Sequence, residues 1–168
     1  MLECYGNKGR VRPAMAMTLW AFVLLISGVL TLSAQARSST QSDLAAKEKR
    51  FIAYQSDFID LAKPVQNSDE FEYAYSLATI AGETADQVDA AFVLLQIYDA
   101  VSCKEDKAKI SPLIRGQLAT YSKYITLSIK SANLSLGATK RPGLVAEATQ
   151  MRDDLREIKS IFDSIQLP

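Results

Sequence analysis

The most regular hydrophobic pattern lies toward the end of the chain. Leu144, Ala148, Met151, Leu155, Ile158, Phe162 and Ile165 recur at alternating steps of four and three, an unbroken heptad seam. Arg152, Asp153, Asp154, Arg156, Glu157, Lys159 and Asp163 fall between them, so the pattern predicts one apolar stripe and one charged face. Just upstream, Ile114, Leu118, Tyr121, Ile125, Ile129, Ala132 and Leu136 repeat the same spacing. Two such stripes bury each other most simply as an antiparallel helical hairpin. Ser111-Pro112 reads as the cap and first residue of its first helix, and Gly137 as the end of that helix. Residues 137–141 form the connection, and Pro142 opens the second helix.

Two further helices are predicted earlier in the chain. From a cap at Ser42 or Asp43, the positions Leu44, Glu48, Phe51, Gln55, Phe58, Ala62 and Val65 follow a heptad, widened by Ile52 and Ile59, until Lys63-Pro64 stops it. A second run extends from Phe71 through Tyr75, Ala78, Ala81, Val88, Phe92 and Leu95 to Tyr98, opened by Ser68 and the carboxylates Asp69, Glu70 and Glu72. Unbroken over residues 69–102 it would be roughly 51 Å long, against about 36 Å for its neighbours, at 1.5 Å per residue. Gly82 and the capping-box spacing of Thr84 and Gln87 therefore predict a break near residues 82–84, and residues 103–109 a charged connection. The expected fold class is all-α: an antiparallel four-helix-bundle-like domain of four long helices, with a short helical segment before the second bundle helix.

The first 36 residues follow another pattern. Lys8, Arg10 and Arg12 precede the uncharged apolar run 19–32, and Ala34-Gln35-Ala36 has the small-x-small form of a cleavage site. This predicts a signal peptide over residues 1–36 and a mature domain over 37–168, exported to the periplasm or secreted, with no membrane attachment after cleavage. The alternative is an uncleaved anchor, because residues 14–36 run without a charge. The mature part carries a net charge of about −2 and no polybasic cluster, which argues against nucleic acid or anionic lipid as partner. Of the two cysteines, Cys4 leaves with the leader, so an intramolecular disulfide is impossible. Cys103, beside Lys104, is either a reactive thiol or a half-buried residue at a helix end, and the latter is expected in the absence of a histidine.

Composition then narrows the chemistry. The chain contains no histidine, which removes Ser-His-Asp and Cys-His catalysis, the usual zinc sets and the Glu-x-x-His pairs of di-iron bundles. Its seven glycines are scattered, so no phosphate loop is formed. The acidic run 67–72 lacks the alternation of a calcium loop. Asp57/Asp60, Asp86/Asp89 and Asp153/Asp154 read as solubilising pairs, and Lys47, Lys49 and Arg50 as a solvated face or an anion-binding patch. No catalytic residue, metal or cofactor is expected. The leading expectation is a non-enzymatic module that binds a protein partner. The alternative is a bundle holding an apolar or aromatic ligand between helices, near Tyr98, Tyr121 and Tyr124.

Overall fold

The computed structural model describes the backbone of residues 16–66 and 68–167, with side chains from residue 39 onward. Among these residues the chain is helical throughout, without a strand: α1 (Ala16–Ala62), a 3₁₀ turn (Lys63–Val65), α2 (Asp69–Ala100), α3 (Lys104–Ala138) and α4 (Pro142–Ser164). The chain divides into two compact units, Met1–Thr40 and Gln41–Pro168. The expected leader over residues 1–36 lies outside the described side chains. No helix among the described residues is long and apolar enough to cross a membrane.

The unit Gln41–Pro168 is an all-α bundle of four helices in which successive helices run antiparallel. α3 packs on both α2 and α4. α1 closes the ring, meeting α2 where Gln41 donates to Asp99 and α4 where Lys47 pairs with Asp154. The predicted seams supply the core. Leu144, Ala148, Met151, Leu155, Ile158 and Phe162 of α4 are buried, as are Ile114, Leu118, Ile125 and Ala132 of α3, with Tyr121, Ile129 and Leu136 half-buried beside them. α2 turns a small-residue face inward (Ala74, Ala78, Ala81, Ala85, Ala91), which leaves room for the rings of Phe51 and Phe58 from α1. Tyr75, Ile52 and Ile59, expected on inward stripes, are exposed instead.

Four boundaries depart from expectation. α1 passes through Ser42 and Asp43 without a start there; a helix already under way needs no new nucleus, so the caps go unused. α2 is continuous through Gly82, and the expected short separate segment is its first half. A mid-helix glycine costs only about 1 kcal/mol relative to alanine, and the turns on either side are held in the core by Leu77, Ala78, Ala81, Ala85 and Val88. Thr84, the expected cap, is buried inside the helix. α3 begins at Lys104 rather than at Ser111, so the charged stretch 103–109 is its first turns, with Glu105 and Asp106 at the positive end of the helix dipole. Pro112 is interior to α3, and Ser111 Oγ donates to the Lys107 carbonyl at 2.8 Å. The last connection is shorter than expected, residues 139–141, and no described residue has a positive φ, so Gly137 closes nothing. Pro142 opens α4 as predicted.

The 139–141 connection is tied down from two sides. Glu70 in the first turn of α2 accepts from the Thr139 hydroxyl and from the Lys140 backbone N–H at 2.9 Å. Arg141 Nη1 donates to the Leu61 carbonyl at 2.7 Å, satisfying an orphan acceptor at the end of α1.

Candidate functional site

Two features lie outside ordinary core packing: a charged network between α1 and α4, and the outward faces of α2 and α3. In the network, Lys47, Arg50 and Tyr54 follow one another at steps of three and four on α1, beside the Leu44–Phe51–Phe58 stripe. They converge on Asp154 of α4. Lys47 Nζ lies 2.5 Å from Oδ1, Arg50 Nε lies 2.5 Å from Oδ2, and the Tyr54 hydroxyl donates to Oδ2 at 2.6 Å. Lys47 also pairs with Glu157. Asp154 was expected on the solvated face with Asp153. Only Asp153 is exposed, whereas Asp154 retains 7% of its accessible surface. The reason is register: Asp154 follows Met151 by three and precedes Ile158 by four, which sets it on the shoulder of the seam facing α1. Lys47 and Arg50 both reach toward α4, where Lys47 is half-buried, while Arg50 and Lys49 keep the exposure expected of a solvated face.

The electrostatics lock these groups in their ordinary charge states. Burial pushes the Asp154 carboxyl up, but the hydrogen bonds from Lys47 and Tyr54 and the charges of Lys47 and Arg50 outweigh it and hold the carboxyl below its usual range. Burial, followed by the bond to Asp154, pushes the Tyr54 phenol up to about 12. Lys47, whose burial opposes its charge, is raised by its bonds to Asp154 and Glu157. The network thus fastens α1 to α4 with the Asp154 carboxylate and the neutral Tyr54 phenol as the favoured forms. An open cleft of about 420 Å³ adjoins it, lined by Asp43, Ala46, Lys47, Glu157, Ser160, Ile161 and Ser164. Another, of about 380 Å³, lies between α1 and α2 and carries Glu48, Glu83, Asp86 and Asp89 around Ile52 and Gln55. Among the described residues no group of three or more such side chains is placed to hold a metal ion.

The three tyrosines do not share a setting. Tyr98 is buried at the end of α2 with the Lys107 ammonium 5.0 Å from its ring centre, Tyr121 is half-buried 6.3 Å from the Phe162 ring, and Tyr124 faces solvent. Neither cleft is lined by any of them. Cys103 is half-buried at the start of α3, as expected for a helix end.

The outward faces carry a second layer of pattern, which the inward stripes masked in the sequence. On α3, Lys109, Leu113, Gly116, Thr120, Tyr124, Leu127, Ser131, Leu134 and Ala138 recur at threes and fours and are all exposed. At 100° per residue they occupy an arc of about 80°. Leu113 and Leu134 keep 71% and 76% of their surface, so both side chains stand almost wholly in solvent. On α2, Glu72, Tyr75, Thr79, Glu83, Asp86, Ala90, Val93 and Ile97 form an equally narrow outward seam, exposed except for half-buried Ala90. The two helices also differ in charge: every charged residue of α2 is a carboxylate, and from Lys107 to the end of α3 every one is Lys or Arg. The net charge of about −2 over residues 37–168 averages this contrast away.

These features define an all-α helical bundle with an ionic network between α1 and α4, an outward apolar seam on α3 and an outward seam of mixed carboxylate and apolar residues on α2. No protein-family model, curated protein or solved structure matches the chain.

Proposed function

We propose that the protein is exported on the leader 1–36 and that its bundle acts by binding another protein, without catalysis, in the periplasm or outside the cell. The observation that carries this reading is the exposed seam of α3, where Leu113, Tyr124, Leu127 and Leu134 stand on one narrow arc of a helix whose opposite face already fills the core. Apolar side chains grouped this way mark a contact surface more often than a neutral one. The absence of histidine supports the same reading, because it removes the commonest general base, and Asp154 and Tyr54 are engaged in holding α1 on α4. Leader cleavage after Ala36 accounts for the uncharged run that precedes it.

A photo-crosslinking residue at Leu127, with a control at Asp153 on the polar face of α4, tests the proposal in cells exporting the protein with its own leader. The expected result is a mature chain beginning at Arg37 and a discrete adduct from position 127 alone. A full-length, membrane-retained chain would overturn export. Equal labelling from both positions would overturn the contact surface.

A further inference from the structure

We infer that the occupant of the α3 seam is a second copy of this chain, with α3 of each copy packed on α2 of the other. The inference deepens the protein-contact reading and rests on it. The two faces are complementary in charge: the α2 seam carries Glu72, Glu83 and Asp86 among its apolar residues, and the exposed Lys123 and Lys130 flank the apolar seam of α3. No ion pair within the described residues neutralises Glu83, Asp86, Lys123 or Lys130.

Register supplies the second argument. Laid antiparallel so that Tyr75 of one copy meets Leu134 of the other, the helices bring Asp86 to Lys123 and, within one residue, Ile97 to Leu113. Apolar residues thus meet apolar residues at both ends, and opposite charges meet in the middle. Within one copy α2 and α3 are already antiparallel neighbours, at that same register where Glu70 accepts from the Thr139 hydroxyl and one turn from it where the Lys107 ammonium lies over the Tyr98 ring. A two-fold axis parallel to the helices therefore makes both α2–α3 contacts at once, with no axial offset. The assembly closes as a dimer instead of growing into a filament.

Sedimentation equilibrium of the protein purified from the exporting cell tests this. The expected result is a dimer that weakens with salt. Asp86→Lys or Lys123→Asp alone raises the dissociation constant at least about tenfold, since each swap sets like charges together at both symmetric contacts. Mixing the two variants in equal amounts restores dimerisation, because in the mixed dimer each lysine again meets an aspartate. Circular dichroism melts confirm that each variant is folded, and a variant that does not fold is replaced by Asp86→Arg or Lys123→Glu, which make the same charge swap at the same contact. A monomer at all concentrations up to about 1 mM, or a dimer indifferent to the swaps and to their mixing, overturns the inference. If such a monomer still yields a discrete adduct with a different protein from Leu127, the protein-contact proposal stands and only self-pairing falls.

Discussion

The Tyr54 hydroxyl on α1 donates a 2.6 Å hydrogen bond to Asp154 on α4, across an interface that Lys47 and Arg50 approach from the same side. One carboxylate therefore ends three side chains from a single helix face. Burial of an ionised aspartate is unfavourable unless its lone pairs are filled, and here both oxygens are occupied. The consequence is orientation: α1 can neither rotate nor slide past α4 without stranding a charge.

Asp154→Ala should cost about 2–3 kcal/mol, because it leaves the Tyr54 hydroxyl and Lys47 without their buried acceptor. This falls short of the 3–5 kcal/mol typical of a broken buried pair, as Lys47 keeps Glu157 and Arg50 is half-exposed. Leu155→Ala, at a fully buried position, should cost on the order of 2–5 kcal/mol through lost transfer energy and the cavity. Asp153→Ala should stay within about 0.5 kcal/mol. Urea denaturation at pH 7 measures all three, and an Asp154→Ala value as small as that of Asp153→Ala would show that the network contributes nothing. The Asp154 carboxyl is lowered in the fold from 3.8, so its contribution is present above that pH and disappears as the pH falls through the folded value. The gap between wild type and Asp154→Asn should close below about pH 3.8 accordingly.

Tyr54→Phe isolates the phenol. Its pKa is raised from 10.0 to about 12, so the fold favours the neutral form. The associated stability is complete below pH 10.0 and is lost as the pH rises toward 12. The wild type should lose stability over that window, and Tyr54→Phe, lower by about 1.5–3 kcal/mol at pH 7 for a hydrogen bond to a charged group, should lose distinctly less. Parallel curves for the two proteins between pH 10 and 12 would refute the assignment.

Glu147 presents the opposite case on the same interface. Burial and the charge of Asp57 push its carboxyl up from 4.5, against the opposing effect of Arg50. Here the ionised form is the one the fold disfavours, so stability is greatest below pH 4.5 and declines as the pH rises through the folded value. Glu147→Gln should raise the melting temperature at pH 7 and have no such effect near pH 4. A lower melting temperature at pH 7 would mean that Glu147 is held by a favourable partner.

The inward stripes were legible because each repeats a period over several turns: the α4 seam from Leu144 to Phe162 is buried without an exception. Boundaries were less so. Ser111-Pro112 has the chemistry of a helix start, but the deciding factor was Ile110 and Ile114 packing on either side of it, and tertiary burial outweighs a local cap worth about 1 kcal/mol. Asp154 was misplaced for a related reason. Composition marks an aspartate as polar, and only the approach of Lys47, Arg50 and Tyr54, about a hundred residues earlier in the chain, makes its buried position tenable. The outward seams were present at the same three-four spacing, yet one chain cannot show which of two stripes on a helix faces in.

Gly82 and Gly116 give a last test, since both interrupt long helices and differ only in surroundings. At Gly116 a Cβ would meet nothing within 4 Å, whereas at Gly82 it would fall 2.5 Å from Gln55 Nε2. Alanine gains roughly 0.5–1 kcal/mol over glycine in a helix interior, chiefly by restricting the unfolded chain. Gly116→Ala should realise that gain in full. At Gly82 the obstructing atom is the tip of a flexible side chain, so Gln55 must swing aside and lose its packing on α2, and the net change should be smaller. The variant Gln55→Ala removes the obstacle, and in that background Gly82→Ala should recover the same gain as Gly116→Ala. Thermal melts of the wild type and the four variants decide the point: a full gain at Gly82 with Gln55 present would show that the close approach does not constrain the α1–α2 packing.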